Sequence, residues 1–234
     1  MKHRVIFAFS IGFLLLFVAG FSLAKDAPPQ TTIEGLELAK VSELTLVYVE
    51  PGADLGHYNR ILLADTFVAF KKNWKRQQNR SYSNRISTSD MDKIKTELAG
   101  LFREVFTEVL EAGGYELVTE SADDVLIIKP AIINLDIRAP DTMSTSGMRS
   151  YSESAGEMTL YLELYDSVTD DLIAKALDTQ RDRQTGYFQW QTRVTNRAAA
   201  KRILTVWANV LKHGLNEVRS VSDGVSAPGV VSTL

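Results

Sequence analysis

The sequence predicts an α+β fold, a two-layer sandwich in which a mostly antiparallel sheet carries two long helices on one face. Three observations predict it. Met91, Ile94, Leu98, Leu101, Phe102, Val105, Val109 and Leu110 recur at steps of mostly three and four residues, which lays one apolar stripe along a helix. A second stripe runs through Ala199, Ile203, Val206, Trp207, Val210, Leu211 and Val218. Between them, Glu157 to Tyr165 alternates, with Met158, Leu160, Leu162 and Leu164 on one side and Thr159, Tyr161, Glu163 and Tyr165 on the other, as a strand with one buried face does. Two one-sided helices and a one-sided sheet bury their apolar surfaces most economically against each other.

Taken in order, the elements begin with a leader. Lys2, His3 and Arg4 precede an uncharged run from Val5 through Ala24, and Ser22 and Ala24 are small residues at the positions a signal peptidase reads. Residues 1–24 are therefore read as a signal peptide, cut near Ala24, for a periplasmic or otherwise exported protein. Cleavage removes Lys2 and Arg4 and leaves the chain more acidic. An uncleaved inner-membrane anchor is the alternative, because the run has about the 20 residues a spanning helix needs. Residues 25–43, polar and with Pro28-Pro29, read as a linker.

The folded domain is expected over 44–219. Leu44 to Val49 (LTLVYV) is β-branched and aromatic and reads as a strand ended by Pro51-Gly52; Ile61 to Phe70 reads as a second. Lys71 to Arg85 is polar and basic, without regular structure assigned. Ser87-Thr88-Ser89-Asp90 supplies N-caps for the first long helix, of about six turns, and Gly113-Gly114 its stop. Tyr115 to Val118 and Val125 to Ile137 follow as strands. The second is nearly all apolar, as in a strand covered on both faces, and its Pro130 implies a bulge or an edge, since proline donates no ladder bond. Residues 139–154 form a Ser/Thr/Met-rich loop. Leu172 to Thr179 returns as a hairpin partner across the Asp166–Asp170 turn, and the last helix starts near Thr195-Asn196. Residues 220–234, small and polar, read as a disordered tail.

Composition excludes several functions. The 234 residues have a net charge of −3, 45% hydrophobic residues and no cysteine. The apolar share supports one core and excludes wholesale disorder. Without cysteine there are no disulfides, iron–sulfur clusters, thiolate zinc sites, cysteine nucleophiles or N-terminal lipidation. The mild acidity argues against nucleic acid as a partner. His57 and His213 are the histidines beyond the leader, and neither has a second histidine at helical spacing, so no catalytic or metal role is assigned. Asp123-Asp124, Asp166 and Asp170-Asp171 fall at a strand start and a hairpin turn, where aspartate serves local backbone bonding. Ser22-x-x-Lys25 matches a serine–lysine pattern but straddles the cleavage site. No G-x-S-x-G, phosphate loop or dinucleotide fingerprint occurs. No catalytic residue, cofactor or metal is expected.

The local anomaly is Lys71-Lys72-Asn73-Trp74-Lys75-Arg76-Gln77-Gln78-Asn79-Arg80. Continued to Arg85, it holds six cations and no acid before Asp90, with Trp74 and Tyr82 interleaved. Lys71, Lys72, Trp74, Lys75, Arg76 and Arg80 are the candidate binding residues for an anionic surface. A solvated segment whose tryptophan packs onto the core is the competing reading.

Several blocks also resemble a known family. Tyr48 to Leu55, Val68 to Trp74, Ala131 to Asp136, Met158 to Asp166 and Val194 to Ala200 are similar, in the same order, to the bacterial envelope family called domain of unknown function 3313. The resemblance spans roughly 35–219. It implies an exported protein, often a lipoprotein in relatives, although this chain lacks the acylated cysteine; it supplies no catalytic residues. A weaker, fold-level similarity in element order is to envelope assembly domains of the curli-secretion and penicillin-binding-protein-activator type. The expectation is a non-enzymatic binding or assembly module whose partner is another envelope protein, a cell-wall polymer or anionic lipid headgroups. A periplasmic hydrolase using paired carboxylates and a carrier of a small apolar ligand are the alternatives. Oligomeric state stays open.

Overall fold

The structure, a computed structural model, describes residues 27–39, 42–81, 85–137, 151–152, 156–181, 189–190 and 193–226. The proposed leader and most of the 139–154 loop lie outside them. The elements are β1 (Glu37–Leu38), β2 (Leu46–Val49), β3 (Arg60–Leu63), β4 (Phe67–Phe70), α1 (Trp74–Ser81), α2 (Thr88–Ala112), β5 (Glu116–Leu117), β6 (Val125–Ile137), β7 (Tyr151–Ser152), β8 (Gly156–Asp166), β9 (Leu172–Arg181), β10 (Gln189–Trp190) and α3 (Arg193–Ser226). The fold is α+β, with an eight-stranded sheet in the order β1-β2-β9-β8-β6-β3-β5, and β4 pairing β6 beyond β3. β7 and β10 pair separately.

The sheet is antiparallel from β1 through β6 and parallel where β3, β4 and β5 join. The sheet is thus mostly antiparallel, with one parallel flank. The stretch expected as a single strand over Ile61–Phe70 is two short strands, broken at Ala64-Asp65-Thr66, each lying parallel to β6. The break explains Pro130. β6 is a central strand, which proline ordinarily avoids. β3 pairs β6 as far as Ile128 and β4 resumes at Ala131. Ala64 N–H donates to Ile128 O at 2.9 Å, so by alternation Pro130 turns its missing N–H toward the gap between the two strands. The edge inferred from sequence exists, but only across Lys129 and Pro130.

Both long helices pack on one face. α2 opens with a capping box: Ser87 Oγ accepts Asp90 N–H at 3.0 Å, and the Asp90 carboxylate accepts Ser87 N–H at 2.8 Å. Its 25 residues make about seven turns. Leu98, Leu101, Phe102, Val105, Phe106 and Leu110 are buried; Phe102 and Phe106 stack at 3.8 Å. They meet Leu126, Ile128 and Ile132 of β6 and Met158, Leu160 and Leu162 of β8 in one core, the packed layer an apolar-ligand carrier would have to open.

α3 buries Ala199, Leu204, Trp207, Ala208 and Leu215. Val206, placed on the buried stripe from sequence, is 53% exposed, because the true stripe is centred on Leu204 and Ala208, a small rotation away. The helix continues to Ser226, past the 219 boundary expected for the domain. The linker assignment also changes: Leu36 is buried and Glu37–Leu38 extends the sheet. The apolar run of β6 suggested a strand covered on both faces; on the face away from α2 and α3, Ile127, Ala131 and Ile133 are half-buried, and no described helix packs there. Among the described residues, no helix is long and apolar enough to cross a membrane.

Candidate functional site

The strands of the sheet end in two chemically opposite regions. β6 starts, β8 ends and β9 starts at one; β6 ends, β8 starts and β9 ends at the other. The first holds the aspartates singled out from sequence. Asp124 receives Arg60 Nε at 2.9 Å and a second bond from the same guanidinium, a forked pair. Arg60 holds the Asp124 carboxyl below the usual carboxylate range. Asp166 accepts the Thr169 and Val168 N–H groups at 2.7 and 2.8 Å, closing the hairpin turn, and its other oxygen accepts the Tyr58 hydroxyl at 2.8 Å. The Thr169 N–H above all keeps Asp166 ionised; burial and that carboxylate raise Tyr58. Asp170, at φ 59°, pairs with Lys129 at 3.4 Å. His57 stacks on Tyr58 at 3.8 Å and hydrogen-bonds Asp54 O at 2.7 Å. These carboxylates do local structural work, as their turn positions suggested. Among the described residues no cluster of three histidines or carboxylates is placed to hold a metal.

The second end carries the basic segment. It is helical where sequence assigned no regular structure: α1 spans Trp74–Ser81. Asn73 enters it at φ 65°. Trp74 is 1% exposed, stacks on Phe70 at 4.2 Å and donates Nε1–H to Ile137 O at 3.1 Å. The tryptophan grouped with the candidate binding residues is thus the root of the helix and does not face a partner. Lys71 pairs with Asp136 at 3.0 Å, and Lys75 Nζ donates to Thr88 Oγ1 at 2.9 Å. Lys72, Arg76, Arg80 and Arg85 are exposed and make no ion pair with the described residues.

Three of the candidates, Lys75, Arg76 and Arg80, share one open cleft of about 530 Å³ with Asn73, Asn79 and Arg85. Asn79 shapes it. Its Oδ1 accepts Ile86 N–H at 2.7 Å and its Nδ2 donates to Ile86 O at 3.2 Å, so the chain beyond α1 folds back beside the helix. Sequence missed Asn73, Asn79 and Arg85; the i, i+4 spacing of Arg76 and Arg80 was visible only once the segment is known to be helical.

A third polar group lies on the uncovered sheet face. Glu163 accepts the Tyr161 and Tyr165 hydroxyls at 2.6 and 2.9 Å, Lys129 sits 3.8 Å over the Tyr165 ring, and Lys175 pairs with Glu34 at 2.6 Å. Burial, then the Glu163 bond, pushes Tyr165 up to about 12. This network is closed on itself and ties the segment before β1 to the sheet.

The described residues form a helix-backed mixed sheet with a cationic cleft at one end. The chain belongs to the family described as Protein of unknown function (DUF3313), whose model matches residues 34–211. Among curated proteins none matches it. Solved structures similar to it include a PelC dodecamer from Paraburkholderia phytofirmans (11% identity over 68% of this chain and 96% of that one, TM-score 0.32). Protein XCC0632 from Xanthomonas campestris, of family DUF330, is 13% identical over 80% of this chain and 97% of its own, with a TM-score of 0.38. A DUF4136 protein from Bacteroides thetaiotaomicron is 14% identical over 74% and 95%, with a TM-score of 0.34. At such scores nothing about function is transferred.

Proposed function

We propose that this protein is an exported, non-enzymatic binding or assembly module of the bacterial cell envelope, and that it meets an anionic partner through the basic end of its sheet. The observation that carries the reading is the set of exposed cations without ion pairs among the described residues, Lys72, Arg76, Arg80 and Arg85, in a chain of net charge −3. Each cation near an anionic surface contributes about 1 kcal/mol. Elsewhere several cations are paired across elements, as Arg60, Arg103, Lys175 and Arg197 are. The basic run that follows Met1 and the apolar stretch to Ala24 support export. A carboxylate hydrolase needs one acid raised enough to donate a proton, whereas Asp124, Asp166 and Asp178 are all held low.

The test is retention on anionic vesicles and on isolated cell-wall sacculi. Replacing Lys72, Arg76, Arg80 and Arg85 together by Gln is expected to lower retention at least about tenfold, in a salt-dependent manner. Equal, salt-insensitive retention of the wild type and this variant contradicts the reading.

A further inference from the structure

We infer that the cleft lined by α1 and Arg85 is a phosphate-binding site, selective for a phosphate ester over other anionic groups. The inference rests on the anionic-partner reading above and names the chemistry of the group that enters. Arg76 and Arg80 are one helical turn apart and both line the cleft. Arg85 also lines it, from the segment after α1, where Asn79 pins the neighbouring Ile86 by a double bond. Lys75 is oriented by Thr88, and the Asn73 and Asn79 amides complete the lining. The walls are fixed from below, since Trp74 is locked by Phe70 and Ile137 O and Ser87 and Asp90 close the capping box at the start of α2.

Guanidinium groups present planar forks of N–H donors that match phosphate oxygens two at a time, and they are weakly hydrated. Forks supplied by both the helix and the segment after it suit a tetrahedral group, which offers oxygens in several directions. A carboxylate offers only two oxygens, both in one plane, and so matches fewer forks than a phosphate does. Asp90 is engaged with Ser87 and Asp136 with Lys71, and among the described residues no acid lines the cleft. A volume of about 530 Å³ holds a phosphate together with the glycerol or sugar that bears it. The phosphate could arrive on a lipid headgroup or on a soluble ester, and the chemistry of recognition is the same.

Two probes separate those sources. Inorganic pyrophosphate is titrated calorimetrically into the full chain, and flotation is measured with phosphatidylcholine vesicles carrying phosphatidylglycerol. The wild type is expected to bind pyrophosphate, with acetate at equal ionic strength not competing. The double variant Arg76→Lys and Arg80→Lys keeps the charge and loses the forks. It is expected to bind pyrophosphate about tenfold more weakly at an unchanged melting temperature. Pyrophosphate binding with flotation means a lipid phosphate reaches the cleft, and binding without flotation means a soluble one does; both support the site. Undiminished binding by the lysine variant overturns it, since point charges then suffice. Flotation without any pyrophosphate binding also overturns it while leaving the anionic-surface reading intact.

Discussion

The two ends of this sheet are made from the same strands and have opposite electrostatic character. At the end where β6 begins, every charge discussed is answered from within: Arg60 by Asp124, Asp166 by backbone N–H groups and Tyr58, Lys129 by Asp170. At the end where β6 finishes, Lys71 and Arg181 are paired with Asp136 and Glu157, and a further set of cations around α1 is left to solvent. The comparison separates charge used to hold a fold from charge held by a fold. Only the second kind is free to contribute to binding, because a charge already paired must first lose its partner.

The largest expected effect tests the support beneath both ends. Phe102→Asp puts a carboxylate against Phe106 in the shared core, with no cation to meet it, and is expected to yield no cooperatively folded protein by circular dichroism. Trp74→Ala removes the anchor of one end. It is expected to cost about 4 kcal/mol in denaturant unfolding and to weaken anion binding as well, coupling fold and cleft there. Gly156 is the next point of leverage. It sits at φ 151° with room for no side chain, since a Cβ would lie 2.3 Å from Asp136 O. Gly156→Ala is expected to destabilise by about 2 kcal/mol.

Asp178 marks how a buried charge is used structurally. It accepts Trp207 Nε1–H at 2.8 Å, Gln180 Nε2–H at 2.8 Å and both Thr45 groups, N–H at 3.2 Å and the hydroxyl at 2.5 Å, which joins α3 to the sheet. Burial alone raises its pKa, but the bonds from Thr45, Trp207 and Gln180 outweigh it and hold it below the ordinary value of 3.8. Its stabilisation is therefore complete above that value and is lost as pH falls through the lower folded-state value. Asp178→Ala is expected to cost about 3 kcal/mol at neutral pH, with a smaller further loss on acidification, read from melting temperatures across an acid series. The smallest effect belongs to the exposed fork: Arg60→Ala should change stability by less than about 1 kcal/mol and leave anion binding unchanged.

Much of this was legible in the chain. The α2 stripe, its Ser87–Asp90 cap, the β8–β9 hairpin and its Asp166 turn follow from local periodicity and capping chemistry, which depend on neighbours in sequence. What escaped depends on distant partners. Ile61 to Phe70 reads as one strand because Asp65-Thr66 interrupts its apolar residues only briefly, and only β6 shows that it pairs in two pieces around Pro130. α1 has seven polar and charged residues after Trp74's single apolar anchor, so periodicity had little to report, and its helix is stabilised by that one buried ring. Val206 was misplaced because consecutive apolar residues in α3 allow two stripe phases, and Asp178 beneath Trp207 selects the one used. Basic character was visible at once; which cations are free was not, since pairing is set by folding.

The most direct test follows backbone amide signals by NMR during a pyrophosphate titration of the full chain. Shifts confined to residues 72–88, saturating together, are the result expected if the basic end is the binding end. Shifts centred on residues 54–60, 122–126 and 166–171 would place the site at the paired end and contradict the account.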